Sequence, residues 1–257
     1  MKRQSEFKPI QLAVLVCAAM TLSACKKIDD TASPVGTTGS ASVTPDLSGV
    51  WKLTKPVEQL LTTDGKQPPL LPEALQAYQS HIQAKTKGDL TWDPVQRCKP
   101  PGLPRTYLEN GWPFEIVQTP ERVDFLFQWN RMVRAVPVLD KQSTFIGPFY
   151  YGQSVGQWQG KAFVVDLVGL NDDVYLDSAG LPHSDDLHMT ETFTMDGDGK
   201  TLHLTVRIED PKTFSAPWQT NLEFVRQPIG SITEDDCAVR MHLENLYPVL
   251  PAKLYPQ

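Results

Sequence analysis

The chain has 257 residues, with 24 basic against 30 acidic side chains, a formal net charge of −6 and four cysteines. An acidic surface without a basic stripe repels phosphate backbones, which excludes nucleic acid as a partner. The length suffices for one β-rich core, and so few cysteines exclude a disulfide-dense scaffold.

Lys2, Arg3 and Lys8 precede an apolar stretch from Ile10 to Met20 and then small residues, which is the layout of a secretory signal. The stretch falls short of the roughly 20 residues that a membrane-spanning helix needs. Leu22-Ser23-Ala24-Cys25 resembles a bacterial lipobox. That resemblance implies a signal peptide over 1–24, acyl chains on Cys25 and contact with the membrane through the lipid anchor only. Lys26, rather than an aspartate, follows the cysteine, so the resemblance implies an outer-membrane lipoprotein whose folded domain faces the periplasm. Residues 25–45 are mainly Ser, Thr, Gly and Ala, a composition that buries too little apolar surface to fold. About 20 such residues form a flexible linker with a mean reach on the order of 25 Å. The domain is expected over 46–257.

Cys17 lies within the signal and Cys25 is the expected lipidation site, which leaves Cys98 and Cys237. In an oxidising compartment they are expected to pair as a disulfide, the alternative being two buried thiols. A bridge there closes a loop of more than a hundred residues, worth about 4–5 kcal/mol in the chain-entropy model.

Val50 to Leu53 reads as a first strand after a Ser/Gly turn. Its Gly49-x-Trp51 start resembles the lipocalin and wider calycin signature, in which the tryptophan closes one end of a barrel. Pro72 to Lys87 is the one good helix candidate: proline near its start, Leu75, Tyr78 and Ile82 at helical spacing, and Gly88 after a basic last turn. His81 on this helix is expected to be solvated. Asp93 to Arg105 is too proline-rich for regular structure and is expected to run over the surface, held by Cys98. From Pro113 the chain reads as antiparallel strands: Phe114–Gln118, Val123–Val133, Lys161–Val168, Leu187–Met195, Thr201–Glu209 and Thr220–Arg226. Asp196-Gly197-Asp198-Gly199 is a hairpin turn rather than a calcium loop, because no spaced acids and closing glutamate follow. These elements predict an all-β, mainly antiparallel, lipocalin-like barrel with one short helix and long loops.

Two inward charges interrupt the alternation. Leu187, Met189, Phe193 and Met195 share a face with Glu191, and Val123, Phe125, Phe127, Trp129 and Val133 share one with Arg131. Buried charges need partners, so the pattern predicts a polar spot inside an apolar barrel, unless a bulge turns either residue outward. Between Gly152 and Glu191 lies the densest polar run: Asp166, Asn171, Asp172, Asp173, Asp177, His183, Asp185, Asp186 and His188. Imidazole with carboxylates suits a metal, but the spacing of His183 and His188 is no standard ligand pattern, and no metal is expected. Gly152-x-Ser154-x-Gly156 has the letters of a nucleophile elbow without the helix that must follow it. The bland alternative is that these groups cap strand ends and hydrogen-bond a long loop.

Pro113-Phe114-Glu115-Ile116-Val117, Gly152-Gln153-Ser154-Val155-Gly156-Gln157-Trp158, Val164-Val165-Asp166, Gly169-Leu170-Asn171-Asp172, Pro182-His183-Ser184, Leu187-His188, Thr190-Glu191 and Glu209-Asp210-Pro211 together resemble a group of uncharacterised secreted proteins and lipoproteins of Gram-negative bacteria. The likeness covers about residues 46 to 240. It implies fold and location and brings no catalytic residue; where its members have Glu after Pro-His-Ser, this chain has Asp185. The first functional expectation is an envelope protein holding a small, partly apolar molecule in its barrel, with Trp51, Trp129, Arg131, Trp158, Tyr175, Asn171 and Asp172 around the ligand. The rival is a small-molecule lyase, isomerase or hydrolase using His183 and His188, oriented by Asp177, Asp186 or Glu191, as acid and base. A structural envelope protein without a pocket is the third expectation. The residues do not indicate a cofactor.

Overall fold

The computed structural model describes residues 44–108, 112–142, 147–228 and 232–240. The signal segment, the Cys25 lipidation site and the linker as far as residue 43 lie outside the described residues.

Nine strands form one sheet: β1 (Gly49–Leu53), β2 (Phe114–Gln118), β3 (Arg122–Phe127), β4 (Val133–Pro137), β5 (Gln153–Gln159), β6 (Ala162–Val168), β7 (His188–Met195), β8 (Thr201–Glu209) and β9 (Trp218–Arg226). Their order is β4-β3-β2-β1-β9-β8-β7-β6-β5, and every neighbouring pair in it is antiparallel. With an odd number of alternating strands, the two edges β4 and β5 run the same way, so an antiparallel ladder cannot close the sheet. The seam is instead joined by a parallel bridge, Val138 to Gly156, with the Leu139 amide donating to the Gly156 carbonyl at 3.2 Å. Gly156 permits this approach, because a Cβ there would run into the Phe163 ring and crowd Val136. The result is a nearly closed antiparallel barrel.

Alternation places the core. Leu202, Leu204, Val206 and Ile208 on β8, Phe163, Val165 and Leu167 on β6, and Met189, Glu191 and Phe193 on β7 are fully buried, while the residues that alternate with them face outward. At the end where β1 begins, Trp51 is buried beneath the Arg226 guanidinium, 4.3 Å from the ring centroid. Arg226 in turn donates to the carbonyls of Ser48 and Gly199. Gly49 has φ of 139°, and a Cβ there would collide with that guanidinium, which explains a glycine two residues before the tryptophan.

Loops and short helices cover the other end: α1 (Pro72–Thr86), a 3-10 turn at Pro94–Arg97, α2 (Arg105–Leu108), and the loops leaving β6 and β8, with α3 (Cys237–Arg240) near the chain end. Proline opens α1, and its one fully buried side chain, Tyr78, faces the loop after β6. Cys98 and Cys237 form the disulfide, with Cα atoms 5.7 Å apart.

Four expectations are corrected. The proline-rich segment is not on the surface: Leu103 is fully buried, and Arg105 makes a bidentate pair with buried Asp93 at 2.9 and 2.7 Å. Prolines bring no N–H donors that burial would leave unsatisfied, so such a segment can enter a core at low cost. The run Val123–Val133 is two strands parted by a turn in which Asn130 and Arg131 have φ of 49° and 53°, and strands β4 and β5 lie where no strand was expected. That turn resets the alternation. Arg131 therefore faces solvent, near Glu234 and Asp236, and Arg134 takes the inward place. His81 is half-buried rather than solvated, stacked on Trp92 with centroids 4.3 Å apart and bonded through Nδ1 to the Gly180 carbonyl at 3.0 Å.

Candidate functional site

Alternation along β7 carries Glu191 into the lumen, where its side chain is 0% exposed and one oxygen lies 2.6 Å from the guanidinium of Arg134, itself 3% exposed. Arg134 also donates to the Tyr107 hydroxyl at 2.8 Å and to Ser154 Oγ at 2.7 Å. Three strands and α2 thus meet at one polar point, and the Arg134–Ser154 bond spans the β4–β5 seam. Burial is the largest influence and works against the Arg134 charge, but Glu191 and Tyr107 together outweigh it and hold the guanidinium charged. Burial, then the Glu191 charge, keeps the Tyr107 phenol protonated. Neither Glu191 oxygen makes a hydrogen bond of good geometry, and the carboxylate acts on the Tyr107 phenol first through its charge. An isolated buried ion pair recovers its desolvation cost only when its lone pairs are satisfied, and here those of both carboxylate oxygens lack a hydrogen bond of good geometry.

Tyr107 fills the middle of the barrel. Its ring contacts Phe114, Phe127, Phe224, Phe125 and Phe193, with centroids between 5.4 and 6.2 Å. Where alternation predicts a hollow, the structure places a phenol of the chain itself. Several clefts among the described residues are open and peripheral. One of about 450 Å³ on the outer face of β8 and β9 is lined by His203, Thr205, Asn221 and Glu223, and another of about 450 Å³ lies beside Asp46, Gln118, Pro120 and Trp158.

The five residues expected to act together as acid and base do not form one site. Asp177 is 0% exposed and accepts from the Leu60, Ala179 and Leu181 amides and from the Tyr78 hydroxyl, all at 2.9–3.0 Å. Burial pushes its pKa up while these four donors pull it down. It fastens the loop after β6 to α1. His183 is buried, and its Nδ1 lies 2.9 Å from the Ser184 carbonyl, so that nitrogen carries the proton. Burial holds its pKa below the usual histidine range. Ser184 donates to Asp210 through both Oγ and backbone N–H at 2.7 Å. His188 is three residues from Glu191 on a strand, which puts the two on opposite faces. It stands outside, 42% exposed, with Nε2 2.5 Å from Asp166. Asp186 pairs with Lys212 at 3.0 Å. Among the described residues, no three His, Cys, Asp or Glu side chains group to hold a metal.

The expected ligand-binding residues scatter as well. Trp51 and Trp158 lie towards one end of the barrel, Trp158 against Phe163 at 5.0 Å. Trp129 packs in a separate cluster with Val95 and Cys237, and Tyr175 edges onto His81 and Trp92. Asn171 Oδ1 accepts from the Asp173 amide, and Asp172 is exposed. Arg134, Tyr107 and Ser154 are the residues that sequence reading did not place. Arg134 follows an unrecognised turn and Tyr107 follows prolines, so neither lies in a periodic run. Ser154 drew notice only as a nucleophile motif, whereas it is a hydroxyl near the start of β5 facing Arg134.

No protein-family model and no curated protein matches the sequence. Among solved structures, the chain is similar to a REP1-NXSQ fatty acid transporter, at 9% identity and a TM-score of 0.28, over 46% of this chain and 72% of that one. It is also similar to a point mutant of the fluorescent protein UnaG, at 10% identity and a TM-score of 0.32, over 71% of this chain and 96% of that one. The barrel assignment rests on strand order and register, not on these likenesses.

Proposed function

We propose that this protein is a lipid-anchored envelope protein of a Gram-negative bacterium that binds a small, partly apolar molecule in the lumen of its barrel. The observation that carries the reading is the Arg134–Glu191 pair. Two buried charges, with neither carboxylate oxygen in a hydrogen bond of good geometry, are costly inside an otherwise aromatic lumen, and apolar residues of similar volume would serve stability at least as well. A charged pair at the centre of an apolar enclosure is what orients a ligand that has one polar end. The lipobox resemblance at Cys25 supports the anchor, and the Cys98–Cys237 disulfide accords with an oxidising compartment. His183 and His188 have other partners, which removes the basis for an acid/base pair made of the two.

The test is to purify the full-length protein from membranes and identify small molecules released on denaturation. The wild type is expected to carry a stoichiometric molecule that the Arg134→Met/Glu191→Met variant does not retain. A wild type with none, or equal occupancy of the variant, contradicts the reading. For the anchor, Cys25→Ser is expected to move the protein from the membrane to the soluble fraction; a variant that still sediments with membranes contradicts it.

A further inference from the structure

We infer that Tyr107 is an intramolecular ligand: its phenol occupies the lumen site, and the external molecule that the site takes is an aryl or aryl-alkyl group ending in a hydroxyl. The inference deepens the reading of lumen binding proposed above and rests on it.

Tyr107 is not on a barrel strand; it enters from α2, a single helical turn at the covered end of the barrel. Its ring is surrounded by phenylalanines from β2, β3, β7 and β9, which present edges at interplanar angles from 61° to 74°. Aromatic pairs prefer this edge-to-face geometry, so the enclosure selects a flat ring over an alkyl chain of equal volume. At the far side of the ring the hydroxyl meets a donor, Arg134, and the charge of Glu191. A neutral hydroxyl suits both, because it can accept from the guanidinium and offer its proton to the carboxylate; a carboxylate ligand would face Glu191 at close range. The Glu191 carboxylate, fully buried and with neither oxygen in a hydrogen bond of good geometry, is the acceptor that a better-placed hydroxyl would satisfy. The plug is fastened from outside the lumen, by the Arg105–Asp93 pair and by Thr106 Oγ1 donating to the Gly102 carbonyl at 2.6 Å. A ligand therefore competes with one side chain, not with the whole cap.

The test uses p-cresol, which is the tyrosine side chain cut at Cβ, and toluene, the same ring without the hydroxyl, on the wild type and on Tyr107→Gly. The variant is expected to melt at lower temperature, to regain stability with p-cresol, and to bind it at least tenfold more tightly than toluene, since the analogue leaves the buried Arg134 donor that met the phenol oxygen unsatisfied. The wild type, in which the Tyr107 phenol competes for the same site, is expected to shift less at the same concentrations. Equal response to the two probes, equal response of wild type and variant, or no response of a folded variant overturns the inference. Should Tyr107→Gly fail to fold, Tyr107→Phe takes over. It keeps the ring but loses the hold on Arg134, so 4-pentylphenol is expected to bind it about tenfold more tightly than the wild type, and equal or weaker binding overturns the inference. A wild-type small molecule that depends on Arg134 and Glu191, together with failed cresol binding to a folded variant, would sink this inference and leave the reading of function standing. Rescue by p-cresol with no copurified molecule would do the reverse.

Discussion

Replacing Arg134 by Met strands a carboxylate in the lumen. In the wild type the two charges lie 2.6 Å apart with side-chain exposures of 3% and 0%, so neither can turn to water when its partner is removed. Breaking a buried pair by removing one partner costs about 3–5 kcal/mol. The Tyr107 hydroxyl and Ser154 Oγ also lose their donor, at about 1 kcal/mol each. Against a total stability of about 5–15 kcal/mol, that is a large fraction. Adding Glu191→Met removes the stranded charge while leaving the two hydroxyls unpaired. The double variant is therefore expected to be more stable than Arg134→Met alone by several kcal/mol, although it contains one more substitution. Urea unfolding followed by tryptophan fluorescence, with the disulfide intact, gives the three stabilities. An Arg134→Met variant within about 1 kcal/mol of wild type, or a double variant less stable than the single one, would refute the assignment of this pair as buried and mutually dependent.

Other consequences can be measured in the same assay. His183 has a folded pKa held below the usual 6.5 by burial, so as pH falls the unfolded chain takes the proton first. Its contribution is present above about pH 6.5 and is lost as pH falls through the folded value; urea midpoints at about pH 5 and pH 7.5 should differ less for His183→Asn than for wild type, and an unchanged difference would contradict this. Cys98→Ser/Cys237→Ser opens a bridge spanning 139 residues and is expected to lower stability by up to about 5 kcal/mol, checked by thermal unfolding with and without reductant. Gly49→Ala forces a Cβ into the Arg226 guanidinium at a positive φ, and should cost about 1–3 kcal/mol by unfolding, with a loss of near-ultraviolet signal from Trp51.

Much of the sheet is legible from alternation alone. Thr201–Glu209 reads as a strand end to end because its apolar residues repeat strictly every second position, and Asp-Gly-Asp-Gly marks the turn before it. Glu191 also betrays itself, as an acid among core positions. Its partner does not. Nothing in Gln128 to Met132 announces a turn with two non-glycine residues at positive φ, so the parity count continues through it and selects Arg131 instead of Arg134. Tyr107 is hidden for a different reason: its place is set by where α2 enters the barrel, a long-range packing outcome with no local period. Proximity in sequence misleads as well. Asp177, His183, Asp186, His188 and Glu191 look like one cluster, yet strand pleating and loop capping give them separate partners, Tyr78, Ser184, Lys212, Asp166 and Arg134.

The most direct test of lumen binding follows the Arg134 Nε–H resonance in nitrogen-15 spectra during titration with 4-pentylphenol. That group points at Ser154 inside the barrel, and the Trp51 indole N–H, bonded to the Leu47 carbonyl, reports from the end where β1 begins. Saturable shifts of the Arg134 signal, with the Trp51 signal perturbed at the same midpoint, are expected. Shifts confined to outer-face residues such as His203, Asn221 and Glu223, with Arg134 unmoved, would contradict a ligand site within the barrel.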